Sequence, residues 1–74
     1  MAESAFAAIQ RRQIEITVGE LLLNSDYYMR LEIAERLRHL VAHADATLDL
    51  TQLSETAREE LIDLGILSPA SEEN

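Results

Sequence analysis

The chain has 74 residues, 47% of them apolar, and a formal net charge of −8. That length allows one domain at most, and a chain so short buries only about 60% of its unfolded surface, so its core is marginal unless helices pack tightly or another chain adds to it. The apolar content excludes a disordered chain, and a sequence without cysteine excludes a disulfide framework and a thiolate metal site.

The first residues, "MAESAF", carry an acid at position 3 and no basic run before an apolar block, so no secretory signal is expected. Neither a Met-Gly start nor a terminal cysteine suggests a lipid anchor, and no apolar run approaches a membrane span. The expectation is a cytoplasmic protein with no membrane association. Charge is unevenly placed. Residues 1–44 carry six acids and five arginines, whereas residues 45–74 carry eight acids and one arginine, a net of −7.

The first 24 residues admit two readings. "AESAFAAIQRRQ" favours a helix, with Ala5, Phe6 and Ile9 together. "IEITV" then alternates and is β-branched, which is the pattern of a short strand at 14–18. Thr17 with Glu20 also resembles a capping box that would open a new helix at "VGELLL". If residues 3–23 form one helix, Ile9, Ile16 and Leu23 share one side while Ile14, Val18, Leu21 and Leu22 occupy another. Such a helix must be buried on two sides, which one short chain cannot do for itself. A second copy or a partner protein would solve this, and a homodimer or tighter assembly is expected at micromolar concentration. Helix is favoured over strand in this region.

Residues 26–44, "DYYMRLEIAERLRHLVAHA", read as a helix. At about 100° per residue, Met29, Leu40, Ile33, Ala44, Leu37, Val41 and Ala34 fall within an arc of roughly 140°, the width of a core-facing stripe. Only Arg30 interrupts it, with a stem long enough to pass an apolar edge. Ser25 or Asp26 can cap the start. Tyr27 edges the stripe and Tyr28 points elsewhere, beside Leu31, so one of the two tyrosines should be exposed in a lone protomer. Tyr27, Tyr28, Leu31 and Leu22, with the pair Arg11 and Arg12, are candidate partner contacts, since tyrosine and arginine are enriched at interface hot spots.

The same helix carries both histidines, His39 and His43. With Glu32 and Glu35 they lie within about 80° of one another, opposite the apolar stripe. Ligands in a row along one helix do not surround a metal, and the zinc-protease pattern His-Glu-x-x-His is absent because Leu40 follows His39. A solvated face is the favoured reading, with no metal and no cofactor.

"ADATLDL" is a short connection, so the helix before it and the helix after it are expected to fold back on each other. The second helix is placed at about 52–64, capped by Thr51 or Ser54, with Leu53, Ala57, Leu61 and Leu64 inward. Glu55, Glu59 and Asp63 line the opposite side. Gly65 ends it in the left-handed conformation, with Ile66 packing back on the last turn. "SPASEEN" reads as a frayed polar tail.

Catalytic patterns are not apparent. Ser4, Ser25, Ser54, Ser68 and Ser71 have no nucleophile signature around them, Gly19 and Gly65 make no phosphate loop, and no carboxylate pair stands in an apolar setting. The helix pair resembles a helix-turn-helix in outline, and "LSETAREELIDLGIL" is similar to a helix of small winged-helix regulators. The candidate reading helix nevertheless sets four acids against Arg58 alone, which repels phosphate. The acidic row could instead meet a basic protein surface.

The sequence thus predicts an all-α bundle of three to four helices over residues 1–67, with a polar tail at 68–74. Its expected role is that of a non-enzymatic, acidic protein-protein interaction module, an inhibitor or modulator such as a phage-type antagonist of host defence or transcription machinery. A small helix-turn-helix regulator and an escort for a helical partner are the alternatives.

Overall fold

Ser4 opens the first helix: its hydroxyl accepts from the Ala7 amide at 3.0 Å, satisfying one of the free donors of the first turn. The computed structural model describes residues 2–69; residues 70–74, most of the expected polar tail, lie outside the described residues. Every regular element among the described residues is helical: α1 (Ala5–Leu23), α2 (Tyr27–Ala42), a 3-10 turn at Leu50–Gln52, and α3 (Glu55–Asp63).

Helix α1 runs unbroken through "IEITV". The strand and the second helix start at Thr17 are both corrected. Thr17 is buried in mid-helix and its hydroxyl donates to the Gln13 carbonyl one turn back, at 2.7 Å. Tertiary packing decides the matter: Ile14, Val18 and Leu21 recur at helical spacing and are all buried. Alternating Ile14 and Ile16 therefore belong to two sides of one helix, not two faces of a strand.

The chain turns after Leu23. Asn24 is extended, and Asp26 caps α2 by accepting from the Met29 amide at 2.9 Å. Arg30, which breaks the apolar arc of α2, reaches back to the end of α1. Its Nη1 donates to the carbonyls of Leu21 (2.7 Å), which also accepts from the Asn24 amide, and of Asn24 (3.1 Å), both at the helix end where carbonyls lose their next-turn donors. Further contacts join the antiparallel α1 and α2: Glu20 pairs with Arg36 at 3.0 Å, and Gln10 Nε2 donates to the His43 carbonyl at 3.4 Å. The stripe of α2 holds at Ile33, Ala34 and Leu37, which are buried, and at Leu40 and Val41, which pack on the core. Met29 departs from it and is largely exposed, because it lies in the first turn of α2, beside the open end of α1.

The second predicted helix begins later than expected. Thr51 sits in the 3-10 turn, capped by Asp49, and Leu53 is extended and buried. Ser54 is the cap of α3, accepting from the Ala57 amide at 3.1 Å. At the other end Gly65 has φ 77°, and the amides of Gly65 and Ile66 donate to the carbonyls of Ile62 (3.0 Å) and Leu61 (2.9 Å). This is a Schellman ending, and Ile66 packs on the core as the sequence predicts.

Helices α2 and α3 do not fold back primarily on each other. Both pack on α1, and they meet through side chains in one cluster: Ile14, Val18 and Leu21 from α1, Ile33 and Leu37 from α2, and Leu53, Ala57 and Leu61 around α3. The connection from α2 to α3 is tied to the N-terminus. Thr47 Oγ1 accepts from the Ser4 amide at 2.9 Å, Glu3 accepts from the Asp49 amide at 2.9 Å, and Gln10 Oε1 accepts from the Asp45 amide at 2.8 Å.

Candidate protein-binding surface

The two helix ends at the α1–α2 turn carry four of the nine sequence-predicted contact residues: Tyr27, Tyr28, Leu31 and Leu22. Tyr27 and Tyr28 are 66% and 77% exposed, with rings edge to face at 5.3 Å between centroids. One exposed tyrosine was the expectation; both are, because α2 starts only three residues after α1 ends and nothing spans its first turn. Leu31, one turn further along α2, and Leu22, at the end of α1, are also exposed. Two tyrosine rings in contact and two exposed aliphatic side chains thus flank the α1–α2 turn, the amphipathic and apolar groups that supply binding energy when a partner desolvates them.

The two arginines separate. Arg12 is exposed. Arg11 is not free for contact: its Nε lies 3.0 Å from both carboxylate oxygens of Glu3, and both side chains are largely covered. Through Glu3, Arg11 belongs to the tie between the N-terminus and the α2–α3 connection. Glu55, Glu59 and Asp63 are exposed along α3, with Leu53, Ala57 and Leu61 buried on its other side, as predicted. Arg58, the cation of α3, keeps its Nε buried without a hydrogen-bond partner among the described residues.

His39 and His43 are exposed and stacked, with ring centroids 5.1 Å apart and planes 20° from parallel. They border a shallow depression of about 190 Å³ with Glu35, Arg38 and Ala42. Among the described residues no group of three or more His, Asp or Glu side chains is placed to hold a metal ion, and no helix is long and apolar enough to cross a membrane.

Two aspartates of the α2–α3 connection are shifted. Asp45 is held below the usual carboxylate range by hydrogen bonds from the Thr47 hydroxyl, then from the Thr47 amide, with Ser4 adding a further one. Asp49 is held down by the hydroxyl and amide of Thr51, with Gln52 and the charge of Arg11 adding to them. In both cases the ionised carboxylate accepts what the protonated form would accept less well.

The second side of α1 expected from the sequence, Ile9, Ile16 and Leu23, is exposed, and Phe6 joins it. Phe6, Ile9, Ile16 and Leu23 of α1 are 61%, 60%, 48% and 90% exposed. With Gln13 and Glu20 they recur at intervals of three and four residues, the spacing of a coiled-coil seam. That spacing is visible in the sequence; which side of α1 the core takes is not. No family model, no curated protein and no solved structure matches this chain.

Proposed function

We propose that this chain is a protein-protein interaction module, a small acidic inhibitor or modulator that works by docking on a protein partner; a phage-type antagonist of host machinery is the sharpest form of that reading. The observation that carries it is the exposure of Tyr27, Tyr28, Leu31 and Leu22 on the helix ends that flank the α1–α2 turn, with the two tyrosine rings in contact. Large apolar and aromatic side chains grouped in water have a hydration cost that a docked protein removes. Steering is the second element. The row of Glu55, Glu59 and Asp63 favours a partner with a basic surface. The same row argues against the helix-turn-helix alternative, because α3 would present carboxylates to phosphate.

Capture from a host lysate with the wild-type chain and with Tyr28→Ala/Leu31→Ala, side by side, tests the reading. Both side chains are exposed, so the variant keeps its fold. A partner held by the wild type and lost from the folded variant supports a docking role. Equal capture by both, or salt-sensitive duplex DNA binding by the wild type, overturns it.

A further inference from the structure

Helix α1 has a second apolar face. On a wheel at about 100° per residue, its buried side chains (Ala7, Ile14, Val18, Leu21 and Thr17) occupy one arc, while Phe6, Ile9, Ile16 and Leu23 occupy another centred about 130° away. From their fractional exposures the exposed parts of these four come to roughly 500 Å², near the upper end of what a monomer's largest apolar patch reaches and a large part of the about 800 Å² that each partner of a stable complex buries.

We infer that this face is covered by α1 of a second copy of the chain, paired antiparallel about a two-fold axis near residues 14 and 15. Self-complementarity is the reason. Phe6 projects at one end of α1. At the other end, beside Leu23, lies a hollow of about 300 Å³ walled by Leu23, Met29 and Ile33, with the Glu20–Arg36 pair across its edge. A knob at one end and a socket at the other fit a second copy only when the helices run in opposite directions. The two-fold then fills both sockets and leaves none open, as an isologous interface must. In that register Phe6 faces the partner's Leu23, Ile9 faces the partner's Glu20, and Gln13 faces the partner's Ile16.

Charge selects the same orientation. A parallel pair would set Glu20 against the partner's Glu20. In the antiparallel register Glu20 is opposite the partner's Ile9, and Arg12, on the edge of the face, stands three residues or about 4.5 Å further along, within reach of an arginine side chain. Gly19 fits this arrangement. A glycine inside a helix costs stability relative to alanine, and within the protomer nothing requires it, since an added Cβ would meet nothing within 4 Å. It flanks the face where the partner's Arg12 would pass.

This inference keeps the reading of the chain as an interaction module and adds a surface separate from the tyrosine cluster. Sedimentation equilibrium on the full chain tests it. The wild type is expected at twice the 8.3 kDa chain mass in the micromolar range. Ile16→Glu, at a half-exposed position, is expected to keep its helicity and raise the dimer dissociation constant at least about 30-fold, the effect of a hot-spot residue. Arg12→Glu, which leaves the Glu20–Arg36 pair of the protomer in place, should weaken the dimer, and Arg12→Lys should largely keep it. A wild type that stays monomeric at hundreds of micromolar overturns the inference. So does a dimer that ignores Ile16→Glu and falls apart with Tyr28→Ala, and a dimer indifferent to Arg12→Glu overturns the antiparallel register. Partner capture by the monomeric Ile16→Glu chain separates the two claims, since docking through Tyr28 and Leu31 survives the loss of the dimer.

Discussion

The carboxylate of Glu15, on α1, accepts from both the backbone amide (2.6 Å) and the hydroxyl (3.0 Å) of Ser54, the residue that caps α3. Ser54 in turn accepts from the Ala57 amide. A helix that would otherwise start from a loop is thus started by an acid on its neighbour, at the end where the dipole favours negative charge. Ser54→Ala should cost about 1–2 kcal/mol, as the loss of an N-cap does, and Glu15→Ala about 1 kcal/mol. Melting of both single variants and the double variant checks this. The double should cost less than the sum of the singles, because the two residues act on the same helix start.

Arg30 closes α1 as Glu15 opens α3. Arg30→Met removes the donor to the carbonyls of Leu21 and Asn24, and should destabilise the chain by about 1.5–3 kcal/mol, the range for hydrogen bonds to a charged group. Arg30→Lys should recover part of this, since a single ammonium lacks the planar fork of guanidinium. Denaturant unfolding of the two variants gives the comparison.

How much of this was legible beforehand divides along sequence distance. The core stripe of α2, the inward row of Leu53, Ala57 and Leu61, the Asp26 cap and the Gly65 ending all rest on residues a few positions apart, where helix geometry fixes what meets what. The double-sided character of α1 was legible for the same reason. The bonds from Glu15 to Ser54 and from Glu3 to Asp49 cross 39 and 46 positions, and no periodicity encodes them. Arg30 read as an interruption because its partners are carbonyls of another helix. Arg11 read as a contact residue because its acid, Glu3, lies eight positions away, beyond the reach of neighbouring helical turns.

The lowered pKa values of Asp45 and Asp49 predict acid lability at the α2–α3 connection. A carboxyl with a lower pKa folded than unfolded binds protons more weakly in the native state. Its contribution is complete above the unfolded value, about 3.9, and is lost as pH falls through the folded one. Stability should therefore be level from neutral pH down to about 5 and decline below about 4. Asp45→Asn and Asp49→Asn together should flatten that decline, as chemical unfolding at several pH values would show.

The acidic row of α3 should act on rates. Glu55→Gln, Glu59→Gln and Asp63→Asn should leave the fold intact, since all three side chains are exposed. They should slow association with a basic partner at low salt while changing dissociation little, as rim charges do. An unchanged association rate would remove α3 from the binding surface and leave the tyrosine cluster alone.

Helix α1 has two apolar sides, one buried in its own core and one exposed, and paired alanine variants test whether a second copy covers the exposed one. Ile14→Ala, at a fully buried position, should cost about 2–5 kcal/mol at any protein concentration. Ile16→Ala should cost little in dilute solution. The most direct single measurement is the melting temperature of the wild type from about 1 to about 300 μM chain, because a partner that binds only the folded state raises the midpoint by mass action. The account predicts a midpoint that climbs with concentration in the wild type and stays level in Ile16→Glu. A wild-type midpoint independent of concentration across that range would contradict it.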